Sequence, residues 1–132
     1  MIALFRSVAL TAALATLALL PAPAPAANLH NGVIVIRNDT HARMRIGGLY
    51  DLPAFYIYPG QKFETTSCCF AAGTHYTINY IGSGEQYYHH YTIVPKLCNT
   101  NGIPYGYADI AIELKSGKYE VVRLDGDTCY PA

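Results

Sequence analysis

Three histidines lie close together in this chain: His75, and the adjacent pair His89 and His90 within QYYHHYTIV, Gln86 to Val94. Imidazole is the commonest metal ligand and the usual general base near neutral pH. Neighbours on an extended strand point to opposite faces, so His89 and His90 cannot easily share an ion. A hairpin turn centred between Ser83 and Gly84 sets Tyr80 opposite Tyr87, Ile78 opposite His89 and Tyr76 opposite Tyr91. On the other side Asn79 faces Tyr88, Thr77 faces His90 and His75 faces Thr92. His75 and His90 then become diagonal neighbours on one face, within reach of long side chains. They are the candidate metal pair, and the candidate base if the protein is an enzyme. Zinc sites normally take three or four protein ligands, and this face offers no carboxylate as a third. No cofactor is therefore expected. A copper or nickel site at His30 requires a leader cut after Ala27, which would make His30 the third residue.

Other groups carry weaker chemistry. Gly82-Ser83-Gly84 lacks the Gly-x-Ser-x-Gly spacing of a nucleophile elbow and reads as a hairpin tip. Glu64, Glu85, Asp109, Glu113 and Glu120 show no apolar setting that marks a glycosidase pair. Asp109 and Glu113 alternate with core residues and are expected to face water. Asp125 and Asp127 in LDGDTC read as turn residues, because the run lacks the ligand series of an EF-hand loop. Asn38-Asp39-Thr40 matches a glycosylation acceptor, and equally a turn.

The tyrosines are the more informative signal. The chain has 12 of them and no tryptophan. Tyrosine combines contact area and a polar tip at low entropic cost. Tyr56, Tyr58, Tyr88, Tyr105 and Tyr107 are the candidate ligand-binding residues. Tyr105 and Tyr107 are expected on the disulfide-stapled loop that begins PKLCNTNGIPYG, whose Asn, Gly and Pro content argues against a regular element. Binding residues are often carried on such loops.

The elements that must position these groups follow an export signal. Arg6, an apolar run from Val8 to Leu20 and the small residues Ala24 and Ala26 form a secretory signal peptide over residues 1–26. The apolar run is shorter than the roughly 20 residues of a membrane span, and no later segment is long and apolar enough. Residues 27–132 then form one secreted or periplasmic domain. Nine basic residues balance nine acidic ones without clustering, so nucleic acid is not an expected partner.

All 4 cysteines follow the signal. An even count in an exported domain predicts two disulfides. Without a Cys-x-x-Cys pair, the spacing does not suggest zinc. Cys68 and Cys69 are neighbours on an expected strand, so each is expected to reach a different distant partner, Cys98 or Cys129.

The periodicity is that of strands. Met44 and Ile46 alternate with Arg43 and Arg45. Ala108, Ile110, Ile112 and Leu114 alternate with Asp109, Ala111, Glu113 and Lys115, followed by a two-residue turn at Ser116-Gly117. Val122 and Leu124 are expected to continue that apolar layer. The expected fold is all-β, a small antiparallel β-sandwich or partly open barrel of about seven or eight strands. GVIVIRNDTHARMRI and FYIYPGQKFETTSC resemble the opening of small secreted β-sandwiches such as aegerolysin-like and thaumatin-like proteins. That rhythm carries no diagnostic residue set, and the tryptophans of aegerolysins are absent, so no family is assigned.

These features point to a non-enzymatic binding module for a carbohydrate, lipid or protein ligand. The alternatives are a small secreted enzyme and a membrane-active or antagonistic toxin.

Overall fold

The computed structural model describes residues 32–65 and 70–129. The expected signal peptide, Cys68 and Cys69 lie outside them. The described residues form nine strands: β1 (Gly32–Asp39), β2 (Met44–Gly47), β3 (Phe55–Ile57), β4 (Lys62–Glu64), β5 (Tyr76–Gly82), β6 (His89–Ile93), β7 (Lys96–Thr100), β8 (Ile103–Lys115) and β9 (Lys118–Arg123). They make two sheets. One has the order β3-β2-β5-β6; the other has β4-β1-β8-β7, with β9 also paired to β8.

The four-stranded sheet is antiparallel throughout. The five-stranded sheet is mixed, because β1 and β8 run parallel from Gly32↔Gly106 to Asp39↔Glu113. The expectation of an antiparallel fold is corrected here. The long intervening chain makes β1 and β8 distant in sequence, so no hairpin constrains their direction.

Strand β8 is the organiser. On one edge it pairs β1 along its length. On the other it pairs β7 through Ile103–Tyr107 and β9 through Ile110–Lys115. The segment expected to be loop therefore contains β7 and the start of β8. Its Asn101-Gly102 dipeptide is the tip of a tight hairpin, with both residues at positive φ, the conformation such turns require.

The alternating apolar residues meet in one core. Ile34, Ile36, Ala108, Ile110 and Ile112 come from the five-stranded sheet; Met44, Ile46, Ile57, Ile78, Tyr80 and Ile93 come from the other. Fully burying each isoleucine contributes on the order of 1.5–3 kcal/mol. The Ser116-Gly117 turn is as expected, and it sets Ile112 opposite Val121 and Leu114 opposite Tyr119. Val121 and Tyr119 therefore pack on the core, while Leu124 is 46% exposed. This corrects the expected placement of Val122 and Leu124.

Two close approaches shape the structure. Gly32 and Gly106 are ladder partners, and a Cβ on either would strike the backbone at Phe70. The chain at residues 70–72 thus lies directly on a glycine floor. Asn38 is fully buried. Its Nδ2 donates to the carbonyls of Ala42 and Ile57, and its Oδ1 accepts from Thr40. That side chain ties β1 to β3 and leaves no room for a glycan in the folded protein.

Cys98 is bonded to Cys129. The expected pairing of each with Cys68 or Cys69 is overturned. β9 runs back along β8 and delivers the tail to β7, which shares that edge.

Candidate functional site

The outer face of the four-stranded sheet carries most of the polar and aromatic side chains singled out above. Alternation sends Met44, Ile46, Ile57, Ile78 and Ile93 inward. The same pleat sends Arg43, Arg45, Tyr56, Thr77, Asn79, Ile81, His90 and Thr92 outward. Tyr58 and Tyr88 flank β3 and β6 at positions of the same parity. Ladder register places Arg45 between Tyr56 and Ile81, Asn79 beside His90, and Thr77 beside Thr92.

Specific contacts hold this face. The Arg43 guanidinium lies over the Tyr56 ring, 4.4 Å from its centroid. Arg45 Nη1 donates to the Tyr88 hydroxyl oxygen at 2.6 Å. His90 Nδ1 lies 2.5 Å from Asn79 Oδ1, an amide oxygen that can only accept. Thr77 and Thr92 share a hydroxyl hydrogen bond of 2.9 Å. The tyrosines remain open: Tyr56 is 49% exposed, Tyr58 52% and Tyr88 44%. Beside them is a hollow of about 150 Å³ lined by Arg43, Arg45, Tyr56, Ile81, Gly82, Ser83 and Glu85.

The hairpin register differs from expectation by two residues. Tyr80 faces His89, Ile78 faces Tyr91, and Tyr76 faces Ile93. The tight turn lies at Gly82–Glu85, closed by the Glu85 amide donating to the Gly82 carbonyl. Residues 86–88 then lie outside the ladder and add the offset. Because the shift is even, every side chain keeps its face. Tyr87 lies outside the strand and is 75% exposed.

This register separates His75 from His90. His90 faces Asn79, so the two histidines are about 13 Å apart along the hairpin at roughly 3.3 Å per residue. The structure does not bring that candidate metal pair together. Among the described residues, no group of three or more His, Cys, Asp and Glu side chains could hold an ion. Among the described residues, the histidine that meets a carboxylate is His89: its Nε2 is 2.7 Å from Glu85 Oε2. Its ring stacks on Tyr80 and meets Tyr119 edge-on. His89 belongs to the packing, and Glu85 also accepts from the Gly82 amide.

Tyr105 and Tyr107 are strand residues of β8, 9% and 6% exposed. They are not on an open loop. With Val35, Cys98, Val33 and Cys129 they form a second apolar cluster, separate from the main core. Beside it lies a charged network. Arg37 donates to both oxygens of Asp109, each at 2.8 Å. Asp109 is 7% exposed and Asp125 4%, so Asp109 is not a solvated surface residue as its alternation suggested. The reason is edge geometry. β7 and β9 leave the backbone of Asp109 between them; Leu124 N–H donates to its carbonyl, and Asp125 Oδ1 accepts from its amide.

Arg123 donates to Asp125 and to the carbonyl of Val94. Burial opposes ionisation of Asp125. The Arg123 hydrogen bond and the Asp109 amide outweigh it and hold the carboxyl below its usual range. Burial, reinforced by the charges of Asp109 and Asp125, pushes the Tyr107 phenol up. This network closes the fold around its tail and leaves Tyr107 neutral.

Sequence reasoning missed Arg43, Arg45 and Glu85 as site residues. The signal was present for the arginines, which alternate with Met44 and Ile46. Nothing local revealed that Tyr56 from β3 and Tyr88 from the residue before β6 would converge on them.

No family model, curated protein or solved structure matches this chain.

Proposed function

We propose that this protein is an exported, non-enzymatic binding module built as a small β-sandwich, with the outer face of the four-stranded sheet as its ligand surface. One observation carries the reading: Tyr56, Tyr58 and Tyr88 stand open on that face beside Arg43 and Arg45, two of them held by those arginines. Exposed aromatic rings fixed in place lose little freedom on binding. The enzyme alternative relied on His75 or His90, and the partner of His90 is an amide. Tyr105 and Tyr107 belong to the fold in this reading, and the ligand surface is confined to the other three tyrosines.

Affinity electrophoresis through gels containing dextran, xylan, hydroxyethylcellulose or polygalacturonate tests it, alongside flotation with phosphatidylcholine and phosphatidylglycerol vesicles. The reading predicts retention by at least one ligand and its loss in the Tyr56→Ser, Tyr58→Ser, Tyr88→Ser triple variant. Equal retention of the folded triple variant would remove it. Sequencing of the exported protein tests the leader, with Ala27 expected first.

A further inference from the structure

We infer that the hollow between Arg43 and Arg45 is a subsite for an oxyanion carried by an acidic polysaccharide; this rests on the ligand surface proposed above and names its chemistry. The described arginines divide into two classes. Arg37 and Arg123 pair with Asp109 and Asp125. Among the described residues, no ion pair involves Arg43 or Arg45. The two are separated by one residue, point to the same side of β2 and line the same hollow.

Their donors are only partly used. A guanidinium has five N–H donors in a planar fork, and the hydrogen bond to Tyr88 takes one from Arg45. Forks of this kind match carboxylate and sulfate oxygens in bidentate geometry. Glu85 shares the hollow, its oxygens turned to the Gly82 amide and to His89, and the two guanidinium charges outnumber its one carboxylate. A second, larger hollow of about 480 Å³ is lined by Arg37, Asp39, Gly60, Gln61 and Lys62. Its cations already have partners in Asp109 and Glu64, so it lacks free charge.

Size and surroundings select the ligand. At about 150 Å³ the hollow is smaller than the clefts of roughly 300–1,000 Å³ that enclose whole small ligands. That space takes one anionic group, not a whole ligand. The remainder of the ligand must lie across the sheet. There it meets the ring of Tyr56 and the hydroxyl, amide and imidazole groups of Thr77, Asn79 and His90. Such a surface offers rings for sugar C–H faces and partners for sugar hydroxyls. It offers no aliphatic cluster for insertion into a bilayer: the exposed large apolar residues of this face are tyrosines.

The test is titration calorimetry of the exported protein with three probes: polygalacturonate, which carries carboxylates; heparin, which carries sulfates; and neutral dextran. An Arg43→Gln, Arg45→Gln double variant is run in parallel. The inference predicts binding of polygalacturonate or heparin, and the stronger of the two identifies the anion. Dextran is not bound. The double variant weakens binding about tenfold or more, since hydrogen bonds to charged groups are the strong ones. It also flattens the dependence on salt between 50 and 300 mM NaCl, as expected when charge is removed.

Failure to bind either acidic polysaccharide overturns the inference. So does binding that the double variant retains in full. Binding of dextran that depends on Tyr56 and Tyr88 but not on the arginines overturns the anion subsite and leaves the ligand surface standing. Capture by phosphatidylglycerol vesicles without polysaccharide binding overturns both the polysaccharide and its subsite. Circular dichroism of the double variant, expected to match the parent, separates lost binding from lost folding.

Discussion

Arg43 lies over the ring of Tyr56, its guanidinium carbon 4.4 Å from the ring centroid. Arg43 directly precedes β2 and Tyr56 lies in β3, two strands joined by a ladder in which Arg45 pairs with Tyr56 and Met44 with Ile57. The contact fixes an open aromatic ring before any ligand arrives. An exposed cation–π pair is worth on the order of 0.5–1 kcal/mol, so its value to the fold is small.

Tyr56→Ala and Tyr88→Ala should therefore change stability by under about 1 kcal/mol, as surface substitutions usually do. Urea unfolding midpoints check this. A midpoint close to that of the parent, together with weakened ligand retention, is the expected combination.

Asn38→Ala should be far more damaging. The side chain is fully buried and serves Thr40, Ala42 and Ile57 together. Its loss takes a partner from the Ile57 carbonyl and the Thr40 amide, while the Ala42 carbonyl still accepts from Thr40 Oγ1. Each unsatisfied group costs about 1–3 kcal/mol. A loss of about 2–4 kcal/mol in urea unfolding is expected. Asn38→Asp should not rescue it, because a carboxylate cannot donate to those carbonyls.

Asp125 predicts an acid limb in stability. Its carboxyl titrates below the usual range in the folded chain. A group depressed in this way stabilises the fold above its unfolded value, near pH 4, and that contribution is lost as pH falls through the folded value. Asp125→Asn should lower the unfolding midpoint at pH 7, and the gap to the parent should narrow progressively as the pH falls below about 4. A difference independent of pH would place the effect elsewhere.

The disulfide predicts a loss set by loop length. Cys98 and Cys129 are 31 residues apart. The chain-entropy model assigns about 3–4 kcal/mol to a loop of that size. The Cys98→Ser, Cys129→Ser variant should lose stability on that scale. Peptide mapping of the unreduced protein should recover the two cysteines in one linked fragment.

Local pattern carried some of this and missed the rest. The β2 alternation gave Met44 and Ile46 inward and the arginines outward. The pleat alone split His89 from His90, and an even register error could not undo that. The Ser116-Gly117 turn was legible because two residues at positive φ are a local requirement. The parallel pairing of β1 and β8 was not legible, since it joins segments about seventy positions apart and leaves no short-range trace. Tyr105, Tyr107 and Asp109 were misplaced for one shared reason. Their burial depends on a tail returned by β9 and bonded at Cys98, a tertiary event that no window of sequence records.

The most direct test of the ligand surface is chemical-shift mapping of the isotopically labelled protein, titrated with oligogalacturonate. The account predicts perturbed amides concentrated at Arg43, Arg45, Tyr56, Ile81, Tyr88 and His90, with β1, β8 and β9 unchanged. Perturbations centred on Arg37, Lys62 and Asp109, or spread evenly over both sheets, would contradict it.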